Sequence, residues 1–150
     1  MAIEKIILEN LKVKDCEDKD YDLVRSITKE NMGKYIEKFW GGWDDKKFQA
    51  NFKKQNIKII EYMDKQIGFY DIEIINGYLY VHNLQIISSY QGKGIGKYMM
   101  RLMENEAKNH GIKKIEFGVF KENPAKEFYL RLGYIIKNDN GSTVKMEKEL

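Results

Sequence analysis

Three glycines at alternate positions mark the segment best suited to chemistry, Gln91-Gly92-Lys93-Gly94-Ile95-Gly96-Lys97. The segment follows a stretch that predicts a strand and precedes a stretch that predicts an amphipathic helix. The first N–H groups of a helix have no acceptor inside it and carry partial positive charge, and glycines allow close approach to the main chain. The pattern therefore predicts a site for a phosphate or diphosphate. The alternative is a turn that merely joins strand to helix, which needs fewer glycines.

The spacing of these glycines argues against two common nucleotide-binding motifs. A Walker A loop reads Gly-x-x-x-x-Gly-Lys-Ser/Thr, whereas only three residues separate Gly92 from Gly96. A dinucleotide fingerprint needs its third glycine where Lys97 stands. A nucleotide-binding protein is therefore disfavoured.

The pattern that does fit is Gln-x-x-Gly-x-Gly, which resembles motif A of the GNAT superfamily of acetyl-CoA-dependent N-acyltransferases. Residues 123–134, Asn-Pro-Ala-Lys-Glu-Phe-Tyr-Leu-Arg-Leu-Gly-Tyr, resemble a second segment of that family, and Leu84-Gln85-Ile86 resembles its fourth strand. The resemblance covers the chain from Ile57 onward. It implies an α/β fold of three layers, in which helices lie on both faces of a central, mostly antiparallel, twisted mixed sheet of about seven strands. It also implies one domain over residues 1–150.

The resemblance implies how acetyl-CoA is held. In this family the loop amides bind the CoA diphosphate, and strands four and five splay apart so that the pantetheine arm pairs with the main chain like an added strand. One such N–H is a candidate donor to the oxyanion of the tetrahedral intermediate. The residues implied are Leu84, Ile86, Ile87, Gln91, Gly92, Lys93, Gly94, Ile95, Gly96, Lys97 and Asn123. Lys93 and Lys97 could instead be solvated surface charges, and Asn123 could cap the following helix.

The resemblance also implies catalytic residues. Tyr129 matches the tyrosine that the family often uses to protonate departing CoA, although its spacing is also that of a core aromatic. Many members that acetylate proteins use a glutamate base on the fourth strand, where this chain has Tyr80. His82 aligns with a strand histidine to which a proton relay is assigned in one member, and histidine titrates near neutral pH; a packed strand histidine is the alternative. Glu73 is the next candidate base.

Aromatic residues in the first third of the chain are candidates for acceptor binding. Acceptors in this family bind over the first helices and the loop between them, a region that contains Tyr35, Trp40 and Trp43. Aromatic faces attract cations, so these residues could contact an amine, or they could simply cover the core. The implied reaction is direct transfer of an acetyl group from acetyl-CoA to a primary amine, of a small molecule or a peptide, in a ternary complex. A non-catalytic acyl-CoA-binding or regulatory module on the same fold is the alternative.

Composition and charge narrow the class of protein. The 150 residues are 43% hydrophobic with a net charge of +3, which suits one globular domain and gives no nucleic-acid footprint. No signal peptide or membrane span of about 20 apolar residues is evident, so we expect a cytoplasmic protein without a membrane partner.

Cys16 is the single cysteine, and we expect a surface thiol whose acidic neighbours disfavour the thiolate. Two distant histidines and one cysteine predict no metal site. A homodimer is suggested by family habit alone.

Sequence patterns predict the elements that position these residues. Apolar and β-branched stretches predict strands at residues 3–13, 57–63, 66–75, 78–87, 115–119, 134–137 and 144–150. Helices are predicted at residues 18–33, 44–52, 95–110 and 124–132, with Asn76-Gly77 as a two-residue hairpin turn. In the third helix, Glu104 and Lys108 are expected on the solvent-facing side. The order of strands and helices predicts a mixed sheet flanked by helices.

Overall fold

The computed structural model describes residues 5–150, which form one seven-stranded sheet and four α-helices. The strands are β1 Leu11–Asp15, β2 Ile57–Tyr62, β3 Lys65–Ile75, β4 Tyr78–Ile86, β5 Lys114–Phe120, β6 Ile135–Asp139 and β7 Thr143–Glu149. The helices are α1 Tyr21–Trp40, α2 Asp45–Asn51, α3 Ile95–Asn109 and α4 Ala125–Arg131. The sheet order is β1-β2-β3-β4-β5-β7-β6. The pair β4–β5 is parallel, whereas β1–β2, β2–β3, β5–β7 and β6–β7 are antiparallel, which confirms the predicted mixed sheet.

The chain divides into two compact units. The first contains the chain up to Asp71 together with Asn83–Tyr98, and the second contains Ile72–His82 and Met99–Leu150. The glycine segment therefore belongs to the first unit, and Tyr129 to the second. A single domain over residues 1–150 stays a prediction.

A cluster of buried apolar residues forms a hydrophobic core in the first unit. It comprises Cys16, Val24, Ile27, Ile57, Ile59 and Phe69, all buried. Each aliphatic or aromatic side chain contributes about 1.5–3 kcal/mol when it is fully removed from water. The predicted surface position of Cys16 is wrong, because its side chain packs in this cluster. Burial, with the charges of Asp20 and Asp18, raises the pKa of its thiol to about 11.

Helix α3 has a buried face in the second unit, which contains the helix from Met99 onward. Met99, Met103 and Ala107 of the predicted helical stripe are at most 3% exposed. Glu104 is 4% exposed, so its predicted solvent-facing position is wrong. The reason is that the buried stripe is wider than predicted: Met100 is fully buried one turn earlier on the same side of the helix.

Two predicted boundaries are also wrong. The first helix does not end at Gly33 but continues to Trp40, and Gly41 then ends it with a φ of 84°. A glycine inside a helix costs only about 1 kcal/mol, which the packing of α1 outweighs. The strand predicted at residues 3–13 begins at Leu11 after a 3₁₀ turn at Leu8–Asn10; residues 3–4 lie outside the described residues.

The predicted hairpin turn between β3 and β4 is confirmed. Asn76 and Gly77 have φ values of 53° and 81°, the two positive angles that a type I′ turn requires. Among residues 5–150, no helix combines the length and apolar character needed to cross a membrane.

Candidate active site

The glycine segment forms the connection from β4 into α3. Gly92 and Gly94 have φ values of 71° and 86°, a region that favours glycine strongly. A Cβ added to either residue would meet no described atom within 4 Å. The conformation therefore requires glycine, and the space beside the loop is open to a ligand.

The first turn of α3 presents main-chain donors beside this loop. The Gly94 C=O accepts a hydrogen bond from the Tyr98 N–H at 3.0 Å, the first such bond of the helix. The N–H groups of Ile95, Gly96 and Lys97 therefore have no acceptor within α3. The helix dipole adds partial positive charge at the same place. The Lys93 side chain is half-buried and the Lys97 side chain exposed, so either interpretation of these lysines stands.

Amide groups hold the end of β4. The Ile87 N–H donates to Ile67 O of β3 at 2.9 Å. Ile86 O accepts from Asn31 Nδ2 at 3.0 Å and from Gln91 Nε2 at 2.8 Å. Since the Ile87 N–H already donates within the sheet, Ile86 remains as the residue predicted to contact the cofactor through its main chain. Half-buried Leu84 precedes it in β4.

Tyr129 lies in an aromatic cluster of the second unit. Its ring centroid is 4.4 Å from that of Phe117 and 5.0 Å from that of Phe128. Burial raises the pKa of Tyr129 to about 12. Among residues 5–150 its hydroxyl has no hydrogen-bond partner, whereas the Tyr134 hydroxyl donates to Glu104 Oε2 at 2.8 Å. The half-buried ring thus packs against other aromatic rings, and the hydroxyl makes no hydrogen bond to a described atom.

Asn123 caps the start of α4. Its Oδ1 accepts from the Ala125 N–H at 2.9 Å, so the predicted capping interaction is present. A contact between Asn123 and the pantetheine arm stays a prediction.

His82 and Glu73 form a hydrogen-bonded pair on adjacent strands of the second unit. His82 Nε2 lies 2.9 Å from Glu73 Oε1, and the Tyr80 ring is 4.8 Å from the imidazole. Opposite an ionised carboxylate, which only accepts hydrogen bonds, a neutral imidazole donates from Nε2 and leaves Nδ1 as its acceptor nitrogen. The two residues predicted as separate bases therefore form one dyad.

The three aromatic residues predicted to bind the acceptor differ in exposure. Tyr35 is 7% exposed on α1, whereas Trp40 is 57% exposed at the end of that helix. Lys47 Nζ lies 5.6 Å from the Trp40 ring, and Lys29 Nζ lies 5.9 Å from the Trp43 ring. Both indoles thus already have an ammonium group near the ring. Tyr35 belongs to the packed interior, which leaves the tryptophans as the reachable aromatic faces.

Sequence patterns did not indicate the contact between Asn31 and the end of β4. The contact of Asn31 with Ile86 spans 55 residues, and a lone asparagine within a helix has no local signature. Within the described part of the chain, no group of three or more His, Cys, Asp or Glu side chains could hold a metal ion.

Comparison with known families decides the class of this protein. The model of the Acetyltransferase (GNAT) family matches residues 24–134. The chain belongs to the GNAT acetyltransferase family. The match includes every candidate site residue of this GNAT protein and ends before β6 and β7.

Solved structures share the GNAT fold. The PaiA N-acetyltransferase of Thermoplasma acidophilum, in complex with coenzyme A, has a TM-score of 0.73 and 18% identity over 93% of this chain and 99% of that one. A ribosomal-protein alanine N-acetyltransferase of Escherichia coli has a TM-score of 0.71 and 16% identity over 93% of both chains. N-acetylglutamate synthase of Neisseria gonorrhoeae, complexed with coenzyme A and N-acetylglutamate, has a TM-score of 0.69 and 11% identity over 93% of this chain and 35% of that one. At these identities the likeness shows the fold alone.

Proposed function

We propose that this GNAT protein transfers the acetyl group of acetyl-CoA to a primary amine, of a small molecule or a peptide, within a ternary complex. The observation that supports this most is the loop in which Gly92 and Gly94 take positive φ ahead of the unpaired N–H groups of α3. Such donors, with the helix dipole, favour a bound diphosphate. Acetyl-CoA contains that group, and the similar structures from T. acidophilum and N. gonorrhoeae hold coenzyme A.

In this proposal the end of β4 binds the pantetheine arm. The thioester carbonyl at the end of the arm accepts from the Ile86 N–H, because Asn31 and Gln91 already occupy the Ile86 C=O. An N–H at this position would also stabilise the oxyanion that forms when the amine attacks the thioester.

The amine must lose a proton before or during attack. An alkylamine with a pKa of about 10.4 loses its proton at pH 7 at a cost of about 4.6 kcal/mol. His82 Nδ1 is the proposed acceptor, directly or through water, and the Glu73 carboxylate stabilises the imidazolium that results. A carbon–nitrogen bond forms, the carbon–sulfur bond breaks with its electron pair on sulfur, and the second proton that the nitrogen loses passes to solvent.

The Tyr129 hydroxyl is proposed to assist the departing sulfur. Its pKa of about 12 exceeds the thiol value of about 8.5 by about 3.5 units, so complete proton transfer is uphill by about 5 kcal/mol. We therefore propose that Tyr129 donates a hydrogen bond to the developing thiolate, and that the thiol takes its final proton from solvent.

An acceptor screen tests the activity. The protein is incubated with acetyl-CoA and a panel of primary amines that includes small amines, free peptide N-termini and lysine side chains. Free thiol and the acetylated product are measured by colorimetry and mass spectrometry. We expect thiol release that depends on the acceptor. Acetyl-CoA binding without release for any amine would instead identify a non-catalytic CoA-binding module.

Two glycine variants test the loop with matched backbone strain. Gly94 and Gly141 have φ values of 86° and 92°, and a Cβ added to either meets no described atom within 4 Å. Gly94→Ala and Gly141→Ala should therefore cost similar stability, about 1–2 kcal/mol. Only Gly94→Ala should weaken acetyl-CoA binding, by about tenfold or more, measured by isothermal titration. Equal affinities for the two variants would contradict the proposed loop contact.

A further inference from the structure

The peptide unit between Ile86 and Ile87 is held on both sides. Its N–H donates to Ile67 O at 2.9 Å. Its C=O accepts from Asn31 Nδ2 at 3.0 Å and from Gln91 Nε2 at 2.8 Å. A carbonyl oxygen has two lone pairs, so these two amides use its capacity as an acceptor. Both polar groups of this peptide are therefore paired within the protein.

Gly68 of β3 fixes the direction of the preceding peptide. A Cβ at this position would stand 2.4 Å from Gln85 O and 3.2 Å from Ile86 Cα, so only glycine permits the approach. Gln85 O therefore lies against β3. The C=O and N–H of a trans peptide point in opposite directions, so the Ile86 N–H points away from β3.

Asn31 connects α1 to this strand end through a chain of amides. Its Nδ2 also donates to Gln85 Oε1 at 3.2 Å, and Gln85 Nε2 in turn donates to Asn83 Oδ1 at 3.1 Å. Asn31 is thus the member of this chain that lies on a helix and reaches the Ile86 carbonyl. Side-chain amides do not titrate, so the arrangement is the same at every physiological pH.

We propose that Asn31 is a positioning residue for the acyl-CoA site, an inference that rests on the proposed function. The side-chain amides of Asn31 and Gln91 both donate to the Ile86 carbonyl, and together they keep the Ile86–Ile87 peptide from rotating. The Ile86 N–H is then left as the outward donor to the acyl-pantetheine group. Asn31 acts through Ile86 and touches no reacting atom.

Two substitutions at this position have different consequences. Asn31→Ala removes one of the two donors to the Ile86 carbonyl, so the peptide is held less firmly. Asn31→Asp keeps the shape of the side chain. An ionised carboxylate only accepts hydrogen bonds, however, and it would face two oxygens, Gln85 Oε1 and Ile86 O. When the carboxyl is protonated, its O–H supplies one hydrogen-bond donor again. The aspartate variant should therefore acquire a pH dependence that the asparagine does not have.

The test measures acetyl-CoA binding by isothermal titration and KM for each substrate by thiol release. Glu30→Gln, an exposed change on the same helix, is the control. We expect Asn31→Ala to raise Kd and KM for acetyl-CoA about three- to tenfold, with a smaller change in KM for the amine. In Asn31→Asp the two oxygens that face the carboxyl disfavour its ionised form and raise its pKa above the usual value of about 3.9, so we expect the loss of affinity relative to wild type to be larger at about pH 8 than at about pH 5. Glu30→Gln should have the affinity of the wild type for acetyl-CoA at both pH values.

The outcomes separate this inference from the proposed function. Wild-type protein that binds no acetyl-CoA would refute both. Wild-type binding with unchanged affinity in both Asn31 variants would refute the positioning role alone. Tighter binding by Asn31→Ala would show that the amide competes with the cofactor, which also overturns the inference.

Discussion

We expect the Tyr129→Phe variant to turn over more slowly than the wild type while folding at least as stably. Phenylalanine keeps the ring that lies 4.4 Å from Phe117 and 5.0 Å from Phe128. The lost hydroxyl has no hydrogen-bond partner among residues 5–150, so its removal breaks no hydrogen bond within that part of the protein. The free energy of unfolding should therefore stay constant or rise by about 1 kcal/mol.

The size of the kinetic effect follows from the acidity of the hydroxyl. Because burial raises the pKa of Tyr129 to about 12, we expect the side chain to assist the thiolate as a hydrogen-bond donor and not by full proton transfer. A hydrogen bond to a charged group contributes about 1.5–3 kcal/mol, which corresponds to about a 10- to 100-fold decrease in kcat. KM for acetyl-CoA should change little, since the bond strengthens only as the sulfur gains charge.

The assay combines initial rates of thiol release with urea denaturation, and Tyr134→Phe is the matched control. Its hydroxyl donates to Glu104, a carboxylate that is 4% exposed, at 2.8 Å. Loss of that donor should lower the free energy of unfolding by about 1–3 kcal/mol with kcat changed less than about threefold. A Tyr129→Phe protein with the wild-type rate would remove the hydroxyl from the mechanism, and a clear loss of stability would show that the hydroxyl is bonded.

Three further predictions concern titratable groups. Burial opposes ionisation of Glu104, but hydrogen bonds from Arg101 and Tyr134 outweigh it and lower its pKa. The stability that this carboxylate adds is present above about pH 4.5 and disappears as the pH falls through the lowered pKa, so Glu104→Gln should flatten the acid side of a plot of unfolding free energy against pH. His82→Ala should slow turnover and change the dependence of kcat on pH; a profile of unchanged shape would exclude His82 as the proton acceptor. Since burial raises the pKa of Cys16 to about 11, its thiol should react with an aromatic disulfide at about pH 8 only in denaturant, and rapid reaction of the folded protein would contradict its burial.

The glycine loop, the hairpin turn at Asn76-Gly77 and the apolar stripe of α3 were predictable because each rests on local chemistry. Gly92 and Gly94 are required by positive φ, and the Asn76-Gly77 turn sets the register of its hairpin. The stripe of apolar residues in α3 likewise follows from the helical period. These features depend on neighbours in sequence, so a pattern of residue types is enough to find them.

Contacts between distant segments could not be predicted in this way. Asn31 reaches Ile86 across 55 residues, and Glu104 is bound by Tyr134 across 30 and by Lys148 across 44. Nothing in the local sequence marks the side chains that will meet once strands and helices pack. The end of α1 shows the opposite error. The local sequence predicts a helix end at Gly33, but tertiary packing carries the helix on to Trp40.

The most direct test of the account compares the affinities of coenzyme A and pantetheine for the wild-type protein. Pantetheine keeps the arm proposed to pair with Ile86 but lacks the diphosphate proposed to bind the donors of Ile95, Gly96 and Lys97. Two charge-assisted hydrogen bonds contribute about 3 kcal/mol or more, so coenzyme A should bind at least about 100-fold more tightly in isothermal titration. Equal affinities for the two compounds, or no binding of coenzyme A, would contradict the claim that this helix start holds the cofactor.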